Sequence, residues 1–129
     1  MDKPKTVAEL ETELSGFYGT EKWHRHSILF KRLSHTDGMK YLADRVGCFW
    51  LLDIVGSVLE RVMKKGEGFS TWKIISADSK AVVTADDGNG NILYTQKIPY
   101  TDFPEGEFKF FVAEGGPQNT AVAMLTSEY

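Results

Sequence analysis

The sequence predicts an α+β fold in which N-terminal helices pack on one face of a C-terminal antiparallel β-meander of about four to five strands. Three observations carry this. Apolar residues recur at steps of three and four through most of the first half, a charged and glycine-rich break follows (KKGEG, 64–68), and a period of two rich in β-branched and aromatic residues governs the remainder. At 129 residues, with 42% hydrophobic and 26% charged side chains, the chain has the size and composition of one globular domain, 1–129. Its helical half is about 1–65 and its sheet half about 69–129.

Thr6 followed by Glu9 fits the S/T-x-x-E capping box, and Val7, Leu10, Leu14 and Phe17 fall on one face, with Gly16 as the stop. Tyr18 to Ser34 is less regular, and ILFKRLS (28–34) reads as a short strand or an extended connection. Thr36 and Asp37 are good caps for a second helix, along which Met39, Leu42, Ala43 and Val46 repeat at helical spacing before Gly47. The segment CFWLLDIVGSVLERVM (48–63) is apolar all round in its first half and predicts a helix buried on most sides. It is shorter than the twenty or so apolar residues a membrane span needs, and Asp53, Glu60 and Arg61 interrupt it. Five strand candidates follow at 69–76, 80–85, 91–98, 107–113 and 120–126, separated by ADSK, DDGNG and EGGPQN among others.

A single cysteine excludes an internal disulfide, and no early apolar stretch has signal-peptide length, so a cytoplasmic protein without membrane contact is expected. Net charge is -3 but unevenly spread. Residues 1–68 hold eleven Lys and Arg against ten Asp and Glu (+1), and residues 69–129 hold four against eight (-4). Neither half has the concentrated basic surface on which phosphate binding depends.

WHRHS (23–27) carries the chemistry most worth weighing. On an extended segment His24 and His26 point the same way and supply two of the ligands that zinc requires. His35, Cys48, Asp37 and Asp53 are the remaining donors, but no second pair stands at ligand spacing, so no metal or cofactor is assigned. The plainer reading packs Trp23 into the core and leaves His24, Arg25 and His26 as a polar cluster. Cys48 among Phe49, Trp50, Leu51 and Leu52 reads as a buried, neutral thiol. Asp53, on an apolar helix, is expected to be buried and either ion-paired, with Arg25, Arg32 or Arg45, or protonated. DDGNGN (86–91) lacks the glycine and glutamate of a calcium loop and reads as a hairpin turn, and GEG (66–68) lacks the rest of any nucleotide-binding fingerprint.

FYGTEKWHRH (17–26), TDGMKYLA (36–43), WLLD (50–53), Trp72, IPYTDFP (98–104) and MLTSEY (124–129), in that order, resemble a small uncharacterised family of bacterial proteins often carried on plasmids, phages and other mobile elements. The resemblance spans nearly the whole chain and implies an accessory protein with no assigned activity; by analogy, small acidic proteins from such elements often act by binding, including inhibition of host defence complexes. The expected function is therefore a non-enzymatic interaction protein with a protein partner. Binding residues are sought at Trp23, His24, Arg25, His26, Arg32 and Asp53, and no catalytic residue is assigned. A small-ligand or metal-dependent enzyme built on His24, His26, Asp37 and Asp53 is the alternative. A third reading is nucleic-acid binding through Lys22, Arg25, Lys31, Arg32 and Lys40. The two edges of a meander would also suit a homodimer.

Overall fold

The computed structural model describes residues 3–17, 23–25, 32–116 and 119–129, with the backbone alone at Trp23 and Arg25. In chain order the elements are α1 (Val7–Leu14), β1 (Trp23–Arg25), β2 (Leu33–Thr36), α2 (Asp37–Val46), α3 (Phe49–Lys65), β3 (Phe69–Ala77), β4 (Lys80–Asp86), β5 (Ile92–Ile98), β6 (Gly106–Ala113) and β7 (Ala121–Leu125). A 3-10 turn over Thr126–Glu128 follows β7. The fold is mixed α+β.

Local chemistry sets the helix ends. Thr6 accepts the Glu9 amide through Oγ1 at 3.2 Å, but the Glu9 carboxylate reaches back to the Lys5 amide (2.8 Å), one residue before the position a capping box uses. Gly47, with φ of +75°, closes α2 in the left-handed conformation that glycine adopts without strain. Helix α3 differs from expectation. Its buried stripe is Leu51, Leu52, Val55, Leu59, Val62 and Met63, while Phe49 is 40% exposed and Asp53 faces solvent, so it is an amphipathic layer helix. The all-round apolar start comes from Phe49, Trp50 and Ile54, which are only partly covered.

The sheet is larger than the expected four to five strands and is not a simple meander. Its order is β1-β2-β7-β6-β3-β4-β5, in which β1 has three residues and the other six strands are longer. β3, β4 and β5 form antiparallel hairpins, but β6 pairs with the far edge of β3, and β2, from the helical half, lies parallel to β7. Side-chain matching favours this order. Trp72 sits opposite Phe110 with rings 6.0 Å apart, and Ile74 sits opposite Phe108, all buried.

The connection that returns the chain from β5 to β6 is YTDFP. Thr101 donates its amide to Ser79 O (2.8 Å), Phe103 is buried and its carbonyl accepts Ser76 Oγ (3.1 Å), and Glu105 forms a two-way backbone bridge with Lys5 and Val7. That segment thus ties the start of α1 to the sheet. Along β3 the burial alternates with period two: Ser70, Trp72, Ile74 and Ser76 face the helices, and Thr71, Lys73, Ile75 and Ala77 face away. One core joins the apolar stripes of the three helices to the inner face of the sheet.

Candidate functional site

The TDG and SEY motifs of the sequence converge at the N-terminus of α2. Thr36 Oγ1 accepts the Met39 amide (3.3 Å) as the N-cap and donates to Glu128 Oε1 (2.5 Å). The same carboxylate accepts the Leu125 amide at Oε1 (3.0 Å) and the Gly38 amide at Oε2 (3.2 Å). Glu128 is buried, and a carboxylate at a helix N-terminus is stabilised by the free amides and the helix dipole. Glycine fits position 38, since a Cβ would stand 2.5 Å from Glu128 Oε1 and against Leu125 Cδ1 and would displace one of them. TDG and SEY are therefore two halves of one structural lock.

His24 belongs to the neighbouring layer. It pairs through β1 with His35 on β2, and the two imidazoles stack at 5.5 Å. Its Nε2 lies 2.7 Å from Asp37 Oδ1, both side chains being about 30% exposed. The contact fixes the ring. Of the residues expected to form a site, His24 and Asp37 do meet. Trp23 and Arg25 contribute backbone to β1, and their side chains, with all of His26, lie outside the described residues. The Lys22 and Lys31 of the nucleic-acid reading lie there too.

Arg32 points elsewhere, donating to Glu60 Oε1 (3.1 Å) and Asn119 O (3.2 Å). Asp53 corrects the sequence reading: it is exposed on α3, on the side away from Leu52 and Val55, so the expected burial does not arise. Arg45, one suggested partner, holds Glu13, with Nε to Oε1 at 2.7 Å, and Tyr41 donates to the same oxygen at 3.0 Å. The Arg45 guanidinium, with Tyr41, keeps the Glu13 carboxyl below its ordinary range. Among the described residues no three His, Cys, Asp or Glu side chains gather closely enough to hold a metal ion.

Cys48 is 2% exposed and its Sγ faces Leu42 O at 3.8 Å. Burial pushes its thiol up to about 12, a neutral and unreactive state at physiological pH. The DDGNG turn closes on itself. Asp87 accepts the Asn89 and Asn91 amides and the Asn91 side chain, and the Asn91 side-chain bond, aided by the amides, lowers its carboxyl.

The face of the sheet away from the helices presents a different surface. Phe69, Phe111 and Tyr129 form a three-ring cluster there, with centroids 5.3, 5.4 and 5.7 Å apart. Met124 pairs with Phe111 across β6 and β7, Ile75 is 47% exposed, and Tyr129 is 78% exposed. A shallow notch of about 450 Å³ opens beside this cluster between Met124, Tyr129 and the Gly115–Gly116 loop. A second groove, of about 490 Å³, lies between α1 and β6 around Glu11, Leu14, Glu107 and Lys109. Neither includes His24 or Asp37. Alternation along FKFF (108–111) sets Phe111 on the face opposite to Phe108 and Phe110. Which face the helices would cover depends on long-range pairing that alternation alone does not specify.

Among the described residues no helix is long and apolar enough to cross a membrane. A family described as "Family of unknown function (DUF6876)" matches residues 8–129. No curated protein matches the chain. A crystal structure described as a protein of unknown function from Enterococcus faecalis is similar in fold, with a TM-score of 0.53 at 12% identity over 84% of this chain and 98% of that one.

Proposed function

This chain belongs to DUF6876, a family of unknown function, and we propose that it is a non-enzymatic docking protein that presents the open face of its sheet to a protein partner. The observation behind this reading is the ring cluster of half-buried Phe69 and Phe111 with exposed Tyr129, joined by half-buried Met124, on a face that the three helices leave uncovered and that also carries the exposed Ile75 beyond the Lys73–Lys109 row. Apolar and aromatic surface is costly to leave in water, and aromatic residues and methionine are enriched at the centres of protein interfaces. The polar motifs, by contrast, spend their hydrogen-bonding capacity on the fold. Thr36, Gly38 and Glu128 satisfy one another, and Cys48 is sequestered. A nuclease of host defence, or its regulator, is the partner class that the resemblance to mobile-element proteins implies.

Photo-cross-linking in a native bacterial host tests the reading. A benzophenone amino acid at Ile75 or Phe111 should give a discrete adduct, and the same group at the exposed Ser57 of α3 should not. Adducts from Ser57 alone would refute it.

One contact favours a second reading, a small-ligand site at His24 and Asp37, because the 2.7 Å pair orients an imidazole at partly exposed depth. Titration of the His24 ring by NMR with and without added zinc tests it; an unaltered ring spectrum rejects metal binding there.

A further inference from the structure

All four lysines of residues 69–129 fall on the open face. Strand register and alternation place Lys73, Lys80, Lys97 and Lys109 outward, since Trp72, Ala81, Gln96 and Phe110 point inward beside them. The acidic side chains at outward strand positions of β3 to β6 are Asp86 and Glu107. Four positive against two negative charges give +2 at these strand positions, in a half whose total is -4, with Glu114 at the rim of the face where it lines the notch.

Lys73 and Lys109 are also direct cross-strand partners at the middle of this face. Like charges so placed cost stability. Glu107, 3.3 Å from Lys73 Nζ, offsets one of them, and Asp86 commits an oxygen to the Gly88 amide. Two residues further along β6 stands Phe111 of the ring cluster, about 7 Å away at strand spacing. Positive charge and aromatic surface thus lie side by side, at the separation of alternate side chains on an extended peptide.

We propose, resting on the docking reading above, that the occupant of this face is an acidic protein segment. One carboxylate meets Lys73 and Lys109, and an aromatic or long aliphatic side chain two residues away packs on Phe111 and Tyr129 and enters the notch beside Met124. Single-stranded nucleic acid combines anion and ring in the same way, but each of its phosphates requires a cation. A surplus of two, no arginine, and Glu107 among the lysines make a poor match.

The test selects a displayed library of random peptides against the full chain and measures binding of the enriched peptides and of oligothymidylate by fluorescence anisotropy. Enriched peptides should carry Asp or Glu within two residues of an aromatic side chain, and their affinity should fall with salt. It should fall roughly tenfold in a K73E/K109E variant. K73M/K109M, which adds no repulsion toward Glu107, should show a smaller loss and serves as the folding control by circular dichroism. Enrichment of neutral or basic peptides, or affinity unaffected by either lysine variant, overturns the acidic assignment. If Phe111→Asp still abolishes that binding, the docking reading survives; if it does not, both fail. Oligothymidylate binding more tightly than every enriched peptide overturns the proposal in favour of nucleic acid.

Discussion

Replacing Glu128 by alanine removes the acceptor for three donors at once: the Thr36 hydroxyl at 2.5 Å, the Leu125 amide at 3.0 Å and the Gly38 amide at 3.2 Å. Each buried donor left without a partner costs about 1–3 kcal/mol. The Thr36 hydroxyl is free to rotate and water enters part of the vacated space, so the expected loss is about 3–5 kcal/mol rather than the full sum. For a chain of this length, melting entropy of about 0.27 kcal/mol per kelvin converts that loss to a fall in Tm of roughly 11–18 °C.

Glutamine is the informative control. Oε1 serves Thr36 and Leu125 while Oε2 serves Gly38, so either orientation of an amide turns its NH2 group toward a backbone N–H. Glu128→Gln should therefore cost about 1–3 kcal/mol, less than alanine but not zero. Urea unfolding followed by circular dichroism measures both. A loss under about 1 kcal/mol for alanine, or equal losses for the two variants, would refute the account of Glu128 as a shared acceptor.

Gly38→Ala should destabilise by about 2–4 kcal/mol, because the added methyl collides with Glu128 and Leu125; a melting temperature equal to the parent's contradicts this. Because Glu13 has a depressed carboxyl in the fold, its clamp on Arg45 and Tyr41 stabilises above the ordinary glutamate range. That stabilisation is lost as pH falls through the depressed folded value, so Glu13→Gln should flatten this part of the acid unfolding curve. Cys48 should react with a disulfide reagent near pH 8 only as fast as the chain opens, so adding urea below the transition should accelerate labelling; rapid labelling in buffer alone argues against the buried thiol. His24→Ala should cost about 1 kcal/mol through loss of the Asp37 contact and the stacking on His35, measured by the same urea titration.

Local periodicity carried a large share of the fold. The helices at Val7–Leu14, Asp37–Val46 and Phe49–Lys65 and the strands β3 to β7 sit within a few residues of where capping residues, apolar spacing and turn glycines place them. What escaped is long-range. Nothing in the seven residues of ILFKRLS states that Leu33–Thr36 will lie parallel to Ala121–Leu125, and nothing local sends β6 past β5 to pair with β3. Asp53 differs from expectation for a related reason. A run of apolar neighbours in sequence suggests burial on every side, whereas the helix turns Asp53 outward beside the half-covered Phe49 and Ile54.

The WHRHS question has a partial structural answer. His24 is held by Asp37, 13 residues further along the chain, and stacked on His35 across a strand pair, a pairing that no spacing rule signals. The open face was equally hidden. Its lysines are spread across residues 73–109, and only the register of four strands brings them onto one side.

The central claim, that the uncovered sheet face is where this protein does its work, is tested most directly by one comparison of affinities. With the partner captured by cross-linking and then purified, Ile75→Asp on the open face is measured against Ser57→Asp on α3, both exposed positions. Loss of binding in Ile75→Asp with parental affinity in Ser57→Asp is the predicted result. Parental affinity in Ile75→Asp together with loss in Ser57→Asp would contradict it and move the functional surface to the helices.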